Sequence, residues 1–183
     1  MIYIINEVDG TKPQVTVLEE FEDPHIEALW LKIVIENIKF IVGGVYRAPT
    51  PDPRPSQSDS KLFSIIEQVS TQETPVMIFG DFNLPTINWN DDGPTPKTDI
   101  EREFVNMFNN TNLTQKIKKP TRFGGGQRPN ILGLVLINEE DVITPHIPRP
   151  PIGRSDHVII TTQTQFRANR DVRQTKSDTR RLN

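Results

Sequence analysis

Val76-Met77-Ile78-Phe79-Gly80-Asp81-Phe82-Asn83 is an apolar run that ends in a carboxylate and a carboxamide. It reads as a buried strand that delivers Asp81 and Asn83 to its exposed end. Some seventy-five residues later, Gly153-Arg154-Ser155-Asp156-His157 leads into Val158-Ile159-Ile160, so polar residues enter a second buried strand. If the two strands lie side by side, Asp81, Asn83, Asp156 and His157 converge. Such a set suits phosphodiester hydrolysis. One carboxylate takes a proton from water, the imidazole and the carboxamide stabilise charge on phosphoryl oxygens, and a second carboxylate helps to hold a divalent metal.

Outward from this strand the chain alternates like an α/β domain. Val15 to Leu18, Leu29 to Ile35 and Phe40 to Tyr46 are short runs rich in β-branched and aromatic residues, and they predict an antiparallel meander. Asp9-Gly10 and Glu36-Asn37 are the expected turns. Prolines 49, 51, 53 and 55 then make a loop, and a helix is expected over Lys61 to Val69 with Ser60 as its cap. Asn83 to Pro96 reads as a loop. A second helix, capped by Thr98 or Asp99, is expected over Ile100 to Phe108. Gly124-Gly125-Gly126 predicts a flexible loop, Ile131 to Ile137 an apolar strand, and Pro145 to Pro151 a proline-rich loop.

A chain of 183 residues suffices for one domain with a core, although hydrophobic content is 34% and mean hydropathy is −0.48. No apolar run has the length of a membrane span, so no membrane association is expected. The absence of cysteine excludes disulfides, thiolate catalysis and Cys-based zinc sites. Net charge is −3, against the basic footprint usual in nucleic-acid enzymes. The charge is uneven, because Phe166 to Asn183 holds six basic and two acidic residues. Two units follow: a domain over residues 1–165, and a basic connector or disordered tail over 166–183.

Six motifs stand in a fixed order: Glu27-Ala28-Leu29-Trp30, Gly44-Val45-Tyr46-Arg47-Ala48-Pro49, Gly80-Asp81-Phe82-Asn83-Leu84-Pro85 with Trp89, Pro120-Thr121-Arg122, Asn130-Ile131-Leu132, and Gly153-Arg154-Ser155-Asp156-His157. With them the chain resembles the endonuclease/exonuclease/phosphatase family. It looks most like the endonuclease domain of non-LTR retrotransposon reverse transcriptases. The resemblance implies a four-layer α/β sandwich of the deoxyribonuclease-like kind, here partial. It implies Mg2+- or Mn2+-dependent cleavage of DNA, a reverse transcriptase domain in the full-length element, and an intracellular, nuclear location. A lipid or inositol phosphodiesterase on the same fold is the other enzymatic reading. A decayed fragment with weak nucleic-acid binding is the non-enzymatic one.

Carried over residue by residue, the resemblance makes Asp81 the group that activates water. Asn83 and His157 contact the scissile phosphate, and Asp156 stands beside the metal. Tyr46 reaches the phosphate or packs across the strands. Arg47 either supports anionic substrate or is solvated, and Arg122 is a phosphate contact. Trp30 and Trp89 read as packing residues, Glu27 as structural, and His25 and His146 as surface or core. Two departures lower the expected activity. The family's upstream segment, with its principal metal-binding Glu, is expected to be missing. Gly133 stands where the family carries an Asp that orients the catalytic His. The sheet face and edge which that segment would cover are expected to be open.

Overall fold

The computed structural model describes residues 11–123, 129–139, 147–153 and 155–163. Asp9-Gly10, Gly124 to Gly126, His146 and the basic tail lie outside these residues.

Alternation of apolar residues builds a meander of β1 (Gln14–Val17), β2 (Glu27–Ile35) and β3 (Ile38–Tyr46), all antiparallel. Glu36 makes the β2–β3 turn with a left-handed φ of 54°. Helix α1 (Gln57–Ser70) carries the chain back so that β4 (Val76–Asp81) pairs parallel to β3, as a parallel pair requires a crossover. β8 (Gly133–Ile137) adds antiparallel to β4, and β7 (Thr114–Gln115) to β8. The six-stranded order is β1-β2-β3-β4-β8-β7. Among the described residues no helix is long and apolar enough to cross a membrane.

The strand period of two splits the core. Trp30, Ile41, Val45, Ile78, Leu134 and Leu136 face α1 and α2 (Asp99–Asn110). Leu31, Ile33, Phe40, Met77, Val135 and Ile137 form the opposite cluster. There Leu29, Val42 and Phe79 are only partly buried, and Val15 and Val17 are exposed. Among the described residues this face is covered in part, with Ile160 packed against it. Ile160 belongs to a separate hairpin, in which β9 (Ile147–Arg149) pairs with β10 (Ile159–Thr161).

Three local expectations change. Helix α1 starts four residues early because Ser56 and Asp59 form a reciprocal capping box, which outcompetes Ser60. The expected loop after Asn83 contains a hairpin, β5 (Asn88–Asn90) with β6 (Gly93–Thr95). Trp89 anchors it by edge contacts with Phe104 and Phe108 of α2. The proline-rich run after 145 contains β9, which a short strand at an edge permits. Helix α2 is capped by Thr98, one of the two expected caps, in a capping box with Glu101.

Candidate active site

Register places four residues in one row across the sheet: Glu27 pairs with Tyr46, Tyr46 with Asp81, and Asp81 with Gly133. All four share the parity of Phe79 and Val135, so they sit at one end of the incompletely covered face. Asp81 closes β4, and its two carboxylate oxygens have different surroundings. Oδ1 accepts the backbone N–H of Asn83 at 3.2 Å, and Oδ2 lies 3.8 Å from His157 Nε2. The same Nε2 is 3.8 Å from Asp156 Oδ1. Both separations exceed a hydrogen bond, but they place the imidazole between two carboxylates.

The route of this convergence differs from the side-by-side strands expected. β4 and β10 belong to different sheets. His157 is brought in by a strap instead. Arg122 bridges both Asn130 and His157, Phe123 N–H donates to Asp156 O at 2.8 Å, and Val158 N–H donates to Thr121 O at 2.9 Å. Thr121 is buried, and its Oγ1 accepts the N–H groups of Leu132 (3.0 Å) and Gly133 (2.8 Å). The strap is thereby tied to the start of β8. Sequence reading passes over Thr121, because a threonine in a loop carries no local signal of two long-range donors.

The Arg122 guanidinium points to protein rather than away from it. Its Nε donates to Asp156 Oδ2 at 2.7 Å, and this bond holds the Asp156 carboxyl below the usual carboxylate range. One oxygen of the expected metal-side carboxylate is thus engaged by a cation.

Arg47 requires a correction. Expected at the substrate or in solvent, it is buried at 5% exposure. Its Nε donates to Asp59 Oδ1 at 2.7 Å, and one terminal nitrogen reaches Asn83 O at 3.1 Å and Phe82 O at 3.3 Å. Its backbone N–H donates to Asp81 O at 2.9 Å, while Asn83 Nδ2 donates to Arg47 O at 2.7 Å. The physical reason is pairing. Asp59 caps α1 at the same end of the sheet, and a buried carboxylate needs a counter-ion. Arg47 therefore staples the Asp81-Phe82-Asn83 turn to α1. Asn83 sits there at φ 48°, a left-handed conformation that Asn tolerates better than most residues. Its carboxamide keeps a second N–H beyond the one given to Arg47.

The turn is fixed on its far side too. Glu101 is buried at 1% and accepts Thr86 N–H, Lys97 N–H and the Thr86 hydroxyl, at 2.8, 2.9 and 2.7 Å. Tyr46 is 44% exposed at the rim, and Trp30 is fully buried as a packing residue. Gly133 offers no side chain to His157. A Cβ there would meet Thr121 Oγ1 at 3.4 Å and Ile160 Cδ1 at 3.6 Å, which is ordinary contact. Among the described residues no group of three or more His, Asp or Glu side chains is arranged to hold a metal ion.

The family model described as endonuclease-reverse transcriptase matches residues 40–161, which contain most of β3, all of β4, the strap and the 155–157 motif. The chain belongs to this family. It is a family of the endonuclease/exonuclease/phosphatase type, whose general chemistry is phosphodiester hydrolysis. Solved structures with the same fold include the endonuclease domain of TRAS1, a telomere-specific non-LTR retrotransposon. It is 12% identical with TM-score 0.63, over 84% of this chain and 67% of that one. The 3′ phosphatase NExo from Neisseria, bound to a product DNA hairpin, is 13% identical with TM-score 0.59, over 86% of this chain and 73% of that one. The inositol polyphosphate 5-phosphatase domain of SpSynaptojanin, in complex with an inositol bisphosphate and calcium ion, is 13% identical with TM-score 0.53, over 84% and 54%. At these identities the likeness extends to the fold. No curated protein matches in sequence.

Proposed function

We propose that this domain hydrolyses phosphodiester bonds of DNA, as the endonuclease unit of a non-LTR retrotransposon, and does so weakly. The observation that carries the reading is the placement of His157 Nε2 at 3.8 Å from carboxylate oxygens of both Asp81 and Asp156. Asp81 is the acceptor for the proton of the attacking water, at the oxygen not occupied by the Asn83 amide. His157, as imidazolium or as a neutral donor, donates to a phosphoryl oxygen as negative charge develops there. The free N–H of Asn83 and the Tyr46 hydroxyl are further donors along the same rim.

Enzymes of this fold generally use a divalent metal, and Mg2+ is the ion expected from the resemblance. The described residues do not supply its ligand set. Mg2+ wants near-octahedral oxygen ligands, and Asp156 offers one carboxylate already bonded to Arg122. Gly133 adds to the deficit, because the imidazole has no carboxylate at that position to fix its orientation.

The test is conversion of supercoiled plasmid to its nicked form, with and without millimolar Mg2+. Slow nicking that disappears in Asp81→Ala is expected. Robust Mg2+-dependent nicking by the unmodified chain would overturn the claim of weakness. Nicking that survives Asp81→Ala would remove Asp81 from the chemistry.

A further inference from the structure

A cavity of about 270 Å³ opens beside Tyr46, between the start of β2, the segment after β3 and the first turn of α1. Tyr46 and Glu27 line it, with Ala48 and Thr50 on one rim and Ser58 on the other. The Arg47–Asp59 pair is part of its wall. Tyr46 is the register partner of Asp81, so the cavity begins about 4.8 Å, one strand spacing, from the residue proposed to activate water.

The lining favours a flat ligand that carries hydrogen-bonding groups. Its one guanidinium is spent on Asp59 and on two carbonyls, which leaves the exposed His25 imidazole and the Thr50 and Ser58 hydroxyls as hydrogen-bonding groups of the lining. Glu27 is exposed and would repel an anion, yet it accepts hydrogen bonds from amino or hydroxyl groups. Tyr46 presents an exposed aromatic ring on which a base can stack. The volume is just below the roughly 300–1,000 Å³ typical of small-molecule sites, which suits one base with its sugar.

We propose that this cavity is a subsite for one nucleoside of the substrate strand, flanking the phosphate bound at Asp81. This rests on the phosphodiesterase reading above. The ion pair in its wall then has two tasks, because the same Arg47 that holds the catalytic turn also neutralises Asp59 in the subsite wall.

The experiment measures binding of the full chain, in EDTA, to an octathymidylate and to an abasic octamer of equal charge. The unmodified chain should prefer the base-bearing strand by about 5–150-fold, the range of one aromatic stack. Ala48→Leu and Thr50→Leu each narrow the cavity from the rim without adding an aromatic face. Both should bring the ratio towards parity, the base-bearing strand losing more affinity than the abasic strand, with unaltered circular dichroism and Tm as folding controls. A preference that persists in both folded variants would overturn the subsite. Equal binding of both strands by the unmodified chain would overturn the subsite alone. Binding of neither strand would remove the nucleic-acid reading beneath it.

Discussion

Arg47→Met tests whether the buried guanidinium is structural. The change keeps most of the aliphatic volume and removes every donor. Asp59, whose side chain is 9% exposed, would keep Ser56 N–H at 2.8 Å and the Ser56 hydroxyl at 2.6 Å, but its Oδ1 would lose the Nε–H at 2.7 Å. A stranded buried charge costs about 3–5 kcal/mol when one partner of the pair is deleted. The Phe82 and Asn83 carbonyls also lose a donor, although water entering beside the exposed cavity offsets part of that. Against a total stability of about 5–15 kcal/mol, this is a large loss. The double variant Arg47→Met/Asp59→Asn removes the stranded charge and should recover about 1–3 kcal/mol of it. Urea unfolding of the full chain, followed through the fluorescence of the two tryptophans, measures both. If Arg47→Met costs less than about 1 kcal/mol, as exposed charge pairs do, the burial argument fails. A loss of DNA affinity at unchanged stability would return Arg47 to the substrate.

Gly133→Asp should raise nicking by about 10–100-fold, because the first side-chain atom fits and the carboxylate joins the row of Asp81 beside His157; unchanged nicking in a folded variant would show that orientation of the imidazole is not limiting. Gly43→Ala should destabilise by about 1–3 kcal/mol or more, since its Cβ would stand 2.3 Å from the ring of fully buried Trp30, and an unaltered Tm would refute that packing. Asp52 should titrate at about 2, held down chiefly by its bonds to the Arg54 side chain and backbone. Its folded value is depressed, so the contact contributes above the unfolded value near 3.8 and is lost only as pH falls through about 2. Carboxyl chemical shifts in Arg54→Gln should move the midpoint upwards, and an unmoved midpoint would deny the pair.

The meander, the β4 strand, the second helix and its cap at Thr98 were legible from residues alone. Each depends on near neighbours: an alternation of period two, or a hydroxyl three residues from the amide it accepts. Asp81, Asn83, Asp156 and His157 were legible as candidates for the same reason, since polar residues at the ends of apolar runs stand out locally. Their convergence was legible as an expectation, but its route was not, because the strap that carries His157 to Asp81 depends on Thr121 and Arg122 bonding to groups from 8 to 37 residues away. The two arginines make the difference plain. Arg47 follows an apolar strand and Arg122 lies in a loop, and each read as a candidate to meet anionic substrate. Which counter-ion each takes is decided by tertiary packing: Arg47 by an acid at the cap of α1, Arg122 by Asp156. A charged side chain reaches several residues' length in any direction, so its partner depends on what folding brings within that reach. The position of a strand or a helix cap depends on the adjacent residues, and sequence by itself determines those.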